Sequence, residues 1–109
     1  MRSDRVVFND ESLERAFESL SEDDPLKKGI KKAIEEIREN CQAGEHISPK
    51  SILAKNYMNK FIASNIRVYD LPLYYRLIYS ISSGNIEIVS VILDWKNHKE
   101  YEKLSKKEI

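Results

Sequence analysis

The sequence is poor in the residues that build many familiar active sites. Its 109 residues include three glycines, too few for a backbone cradle around phosphates, and neither a Gly-rich phosphate loop nor a G-x-S-x-G elbow occurs. A single cysteine, Cys41, excludes a disulfide framework and a cysteine-based metal site, and makes a reducing cytoplasm the expected compartment. The two histidines, His46 and His98, have no H-E-x-x-H or other metal-ligand spacing, so neither a metal nor a cofactor is expected. No run approaches the ~20 apolar residues of a membrane span, and no N-terminal stretch has the form of a signal peptide. Net charge is also lacking: 18 Lys and Arg balance 18 Asp and Glu.

What is present describes one domain, residues 1–109. A chain of this length buries roughly two-thirds of its unfolded surface, enough for a core without staples. The charge is unevenly spread. Residues 1–48 hold 8 basic and 12 acidic side chains, and residues 49–109 hold 10 and 6. Such a separation can put a basic face on a neutral protein.

Local signals give an element order. "DRVVF" (4–8) reads as a strand ending at a cap in Asn9-Asp10. Leu13, Ala16, Phe17 and Leu20 recur at helical spacing, and Asp24-Pro25 opens a second helix striped by Leu26, Ile30, Ala33, Ile34, Ile37 and Cys41. Gly44 is the expected stop of that helix. A further short helix or two is expected after Ser48 as cap and Pro49 as first residue, with Ile52, Leu53, Tyr57 and Phe61 on one side. "NIRVYDL" (65–71), "YYRLIYSI" (74–81) and "IEIVSVILDW" (86–95) read as strands, with "SSGN" (82–85) as a hairpin loop. The last strand is apolar on both faces, as a covered central strand would be. The expected fold class is α+β: an N-terminal strand, an antiparallel helical hairpin and a three-strand antiparallel meander, with the helices on one sheet face and the other face open.

The residues able to do chemistry are basic or aromatic. Alternation sends Tyr75, Leu77, Tyr79 and Ile81 under the helices, and Tyr74, Arg76, Ile78 and Ser80 to the other side. A guanidinium in mid-strand calls for a carboxylate or an anionic ligand, and Arg67 on the preceding strand poses the same choice. Lys50, Lys55 and Lys60 meet no acid between residues 46 and 69; they form either a solvated helix face or a polyanion contact. In the terminal "KNHKEYEKL", His98 and Tyr101 stand at i and i+3, within Lys96 and Lys99. Imidazole can move a proton near neutral pH, and a phenol can donate one or stack on a base. Trp95 reads as a packing anchor.

The stretch "NIRVYDLPLYYRLIYSISSGNIEIVSVILDWKNHKEYEKL" resembles the C-terminal half of RelE/ParE-superfamily toxins, particularly an archaeal RelE-like branch. The likeness lies in a "YRLIY" strand, a short turn, an apolar strand and an "HKEYEK" tail. It implies a RelE-like toxin of a type II toxin-antitoxin system: a metal-independent mRNA endonuclease acting with the ribosome and held by an antitoxin protein. It further implies that Arg76 supports the phosphate, that Arg67 adds positive charge, and that His98 and Tyr101 assist, with Lys50, Lys55, Lys60, Lys96 and Lys99 lying along the RNA. The chain departs from the family in its neutral charge and in Tyr69-Asp70 following Arg67. A ParE-like gyrase inhibitor and a catalytically silent protein-binding homologue are the alternatives. No membrane partner is expected, and the oligomeric state is open.

Overall fold

The computed structural model describes residues 1–83 and 87–106. Its elements are β1 (Arg5–Phe8), α1 (Glu11–Glu18), α2 (Pro25–Glu39), β2 (Glu45–His46), α3 (Ile52–Phe61), β3 (Ile66–Asp70), β4 (Arg76–Ser83), β5 (Ile88–Lys96) and α4 (His98–Lys106), with a 3-10 turn at Pro72–Tyr74. The fold is α+β. Residues 84 and 85 of the expected hairpin loop, and residue 86 at the expected strand start, lie outside the described residues.

The helix starts follow from short-range chemistry. The Asp10 carboxylate accepts from Leu13 N at 2.8 Å, and Asp24 accepts from Leu26 N at 2.8 Å with Pro25 at the first helical position. The expected cap at Ser48 is replaced by Ser51, whose hydroxyl accepts from Ala54 N at 3.1 Å. The Ser48 carbonyl instead closes a turn, taking the Ser51 N–H at 3.0 Å. Pro49 sits inside that turn rather than at the helix start.

The sheet has five strands, where an N-terminal strand and a three-strand meander were expected. Its order is β1-β5-β4-β3-β2. β3 pairs antiparallel with β4 and β4 with β5, β2 adds antiparallel beside β3, and β1 joins parallel beside β5. The α1–α2 hairpin therefore crosses the sheet from the β1 edge to the β2 edge, and so lies on one face. There Leu26, Ile30, Ala33 and Ile37 pack with Leu77, Tyr79, Ile81 and Ile92.

The opposite face is not open. α3 leaves β2 and returns to β3 across it, and α4 folds back from β5 over the same side. Leu53, Ala54 and Tyr57 of α3 bury Ile66, Val68, Ile78 and Leu93, and Tyr101 and Leu104 of α4 join them. The expectation of helices on one face only is thus corrected. Ile78, wholly buried, is the physical reason: an apolar side chain in the middle of that face requires cover.

Gly44 does not end a helix, since α2 stops at Glu39. A Cβ on Gly44 would lie 2.8 Å from both the Tyr79 ring and the Val68 carbonyl oxygen. Its lack of a side chain lets the connection sit on the buried Tyr79, whose hydroxyl accepts from Gly44 N at 2.9 Å and donates to Cys41 O at 2.7 Å.

Candidate functional site

Register brings charged side chains to one end of the face covered by α3 and α4. Asp70 pairs across to Arg76, and Arg76 pairs across to Lys96. Residues directly opposite in adjacent strands share a face. Ile66 and Val68 of β3 and Ile78 of β4 face α3, so alternation places Asp70 and Arg76 on the same side.

β5 reaches this row through an irregularity. Tyr79 pairs with Ile92, yet Ile78 pairs with Asp94, leaving Leu93 as an extra residue. A bulge of this kind shifts the alternation by one position. Ile92 and Trp95 pack on the α1–α2 side and Leu93 on the other. The shift turns Asp94 and Lys96 toward α3 and Arg76. Without it both would enter the larger core.

Each cation in the row has an anionic neighbour. Arg76 Nε lies 3.1 Å from Asp70 Oδ1, and Lys96 Nζ lies 3.4 Å from Asp94 Oδ2. Asp94 also accepts from the Tyr57 hydroxyl at 3.1 Å. The two pairs differ in exposure: the Asp70 side chain is 82% exposed and that of Asp94 only 16%. Exposed pairs contribute about 1 kcal/mol or less, so Asp70 is held weakly, whereas Asp94 is fixed by Lys96, by Tyr57 and by the Trp95 N–H, from which it accepts at 2.9 Å. Asn56, Tyr57, Lys60, Asp94, Lys96 and Leu104 line a small cavity of about 80 Å³.

α4 closes the end of the row. The Arg76 guanidinium carbon sits 5.8 Å from the centre of the Tyr101 ring, within cation–π reach. Burial pushes the Tyr101 phenol above its ordinary pKa; Arg76 opposes this, while Glu45 and Asp70 add to it. Burial, then the Asp94 charge, pushes Tyr57 up as well. Both are therefore neutral hydroxyls near pH 7, able to donate a proton or a hydrogen bond but not to act as phenolate bases. His98, one turn before Tyr101, lies with Nε2 3.0 Å from Glu102 Oε1, and its ring meets that of Tyr74 at 6.4 Å and 61°.

Of the nine expected site residues, Arg76, Tyr101, Lys96 and Lys60 come together, and His98 stands at the rim with Lys99 exposed beside it. Arg67 does not join them. It pairs in register with Tyr79, which directs it to the α1–α2 side, and it donates to Gly44 O at 2.8 Å and Gln42 O at 3.2 Å. It secures the connection before β2. Lys50 lies in the turn before α3, and Lys55 is exposed on that helix; neither belongs to the row or lines the cavity. Tyr57 and Asp94 belong to the site although the sequence does not single them out. Tyr57 passed as one more core position of its helix, and a lone carboxylate within "VILDW" was the available signal for Asp94.

Among the described residues no group of three or more His, Cys, Asp or Glu side chains is placed to hold a metal ion. No helix there is long and apolar enough to cross a membrane. No protein-family model, curated protein or solved structure matches this chain.

Proposed function

We propose that this chain is a RelE-like toxin that cleaves messenger RNA at the row formed by Arg76, Lys96 and Tyr101. The observation carrying the reading is the meeting of the Arg76 guanidinium with the Tyr101 ring at 5.8 Å, with Lys96 opposite Arg76 in register. In this reaction a ribose 2′-hydroxyl attacks the neighbouring phosphate and the 5′-oxygen leaves. The site then needs a proton acceptor, positive charge on the crowded phosphate and a proton donor. Arg76 presents a planar fork matched to phosphate oxygens. Tyr101, kept protonated by its surroundings, donates toward the leaving oxygen. His98 accepts from the 2′-hydroxyl once Glu102 releases it, and Lys60 and Lys96 attract the backbone. Metal independence, ribosome association and restraint by an antitoxin are what the sequence resemblance adds.

Asp70 holds Arg76 in the absence of RNA. Because its carboxylate is 82% exposed, an entering phosphate can displace it at small cost. The same pair favours a second reading: a catalytically silent protein-binding homologue, in which Arg76 is permanently satisfied by its own chain.

Induction in a bacterial host separates the two. Wild type is expected to arrest growth and cut messages. Arg76→Ala is expected to lose at least a hundredfold in cleavage while folding normally, and Tyr101→Phe to lose less. Intact messages and normal growth under wild-type expression would reject the nuclease and leave the binding homologue.

A further inference from the structure

The turn between β3 and β4 holds an aromatic side chain outward on a costly backbone. Leu73 and Tyr74 both adopt left-handed backbone, with φ of 60° and 62°, and are 64% and 76% exposed. Neither type favours that region. The turn is nevertheless pinned on every side. Leu71 is buried and its N–H bonds to Tyr75 O at 3.0 Å. Pro72 presses on α2 so closely that a Cβ at Gly29 would collide with its Cδ. Tyr75 packs on the α1–α2 core, and the Asp70–Arg76 pair closes the hairpin end. A strained conformation persists when its surroundings over-determine it, and such outliers cluster at functional sites.

We infer that Tyr74 is a stacking platform for one base of single-stranded RNA, placed beside the phosphate held by Arg76. The inference rests on the ribonuclease reading and adds a specificity-determining residue to it. The exposed ring is met edge-on by His98 at 6.4 Å, which leaves a corner between the two rings. Arg76 is two residues along the chain and Lys99 adjoins His98. An exposed aromatic among cations is the arrangement that receives single-stranded nucleic acid, because every base offers a π face and every phosphate a charge. A base seated on Tyr74 would cover the surface that the turn holds outward and fix the register of the next phosphate on Arg76.

The test is fluorescence anisotropy with a short 2′-O-methyl RNA, which lacks the attacking hydroxyl and stays intact. Tyr74→Phe keeps the ring and is expected to bind as wild type does. Tyr74→Gly is expected to bind about tenfold more weakly, yet to melt at the same temperature or higher, since glycine accepts left-handed backbone. Moving one abasic site along the strand is expected to abolish that difference at a single position. Binding by Tyr74→Gly equal to wild type, with Arg76→Ala weakened, would overturn the platform and leave the nuclease reading standing. A deficit in Tyr74→Gly that persists at every abasic position would also overturn it. Absence of RNA binding by wild type would remove both.

Discussion

The two faces of the sheet are built for different ends. Under α1 and α2 the contact is apolar and continuous, from Leu26 through Ile37 against Leu77, Tyr79, Ile81 and Ile92. Its main polar groups are closed internally, as where Tyr79 bridges Gly44 and Cys41. Under α3 and α4 the apolar cluster is smaller, and at one end it gives way to Asp70, Arg76, Asp94 and Lys96. There each charge has an oppositely charged neighbour and keeps some contact with water. A dry face commits its polar groups permanently, while a face that ends in exchangeable ion pairs can trade them for a ligand. The larger apolar cluster lies on the first face and the exchangeable charges on the second.

Substitutions on the two faces test that division. Ile37→Ala removes a wholly buried side chain of α2 and is expected to cost about 2–5 kcal/mol in urea unfolding. Leu104→Ala, at a half-buried position of α4, is expected to cost about 1 kcal/mol. Equal losses would show that the faces share the load. Tyr79→Phe leaves the Gly44 N–H and the Cys41 carbonyl without their hydroxyl partner, an expected loss of about 2 kcal/mol. Tyr57→Phe takes one hydrogen bond from Asp94, which still has Lys96, and is expected to lose about 1 kcal/mol.

Two smaller effects sharpen the contrast. Ile62 ends α3 with φ 52° and is 95% exposed, so Ile62→Gly is expected to gain about 1 kcal/mol by relieving left-handed strain. A matching rise in melting temperature would locate stored strain on the second face. On the first, the Lys27 hydrogen bond, and then that of Lys31, pull the Glu22 carboxyl from its ordinary 4.5 down to about 2. The folded pKa is lowered, so this contribution is complete above pH 4.5 and disappears as pH falls through about 2. The melting-temperature gap between wild type and Glu22→Gln is expected to shrink between neutral pH and pH 2. It should stay modest, because Glu22 is 72% exposed.

Much of the chain could be read before its structure was known. Asp10 and Asp24 cap the helices that their side chains announce, and the α2 stripe is the one that packs. Tyr75, Leu77, Tyr79 and Ile81 do lie under the helical pair. Arg76 and Tyr101 were visible as unusual residue types at unusual places, and they meet. The errors fell where distant segments had to be placed together. α3 and α4 cover the face expected to be open, and Arg67, expected in the site of Arg76, has Tyr79 as its cross-strand partner.

The sequence by itself determined the caps, the helix stripes and the alternation of β4, because those signals act over one turn or one pleat and need no distant partner. Tertiary structure alone decided which charges share a site. The extra residue at Leu93 directs Asp94 and Lys96 toward Arg76, and Tyr57 reaches Asp94 from 37 positions away. A strand's facing depends on its register with neighbours, and a one-residue slip exchanges the two faces.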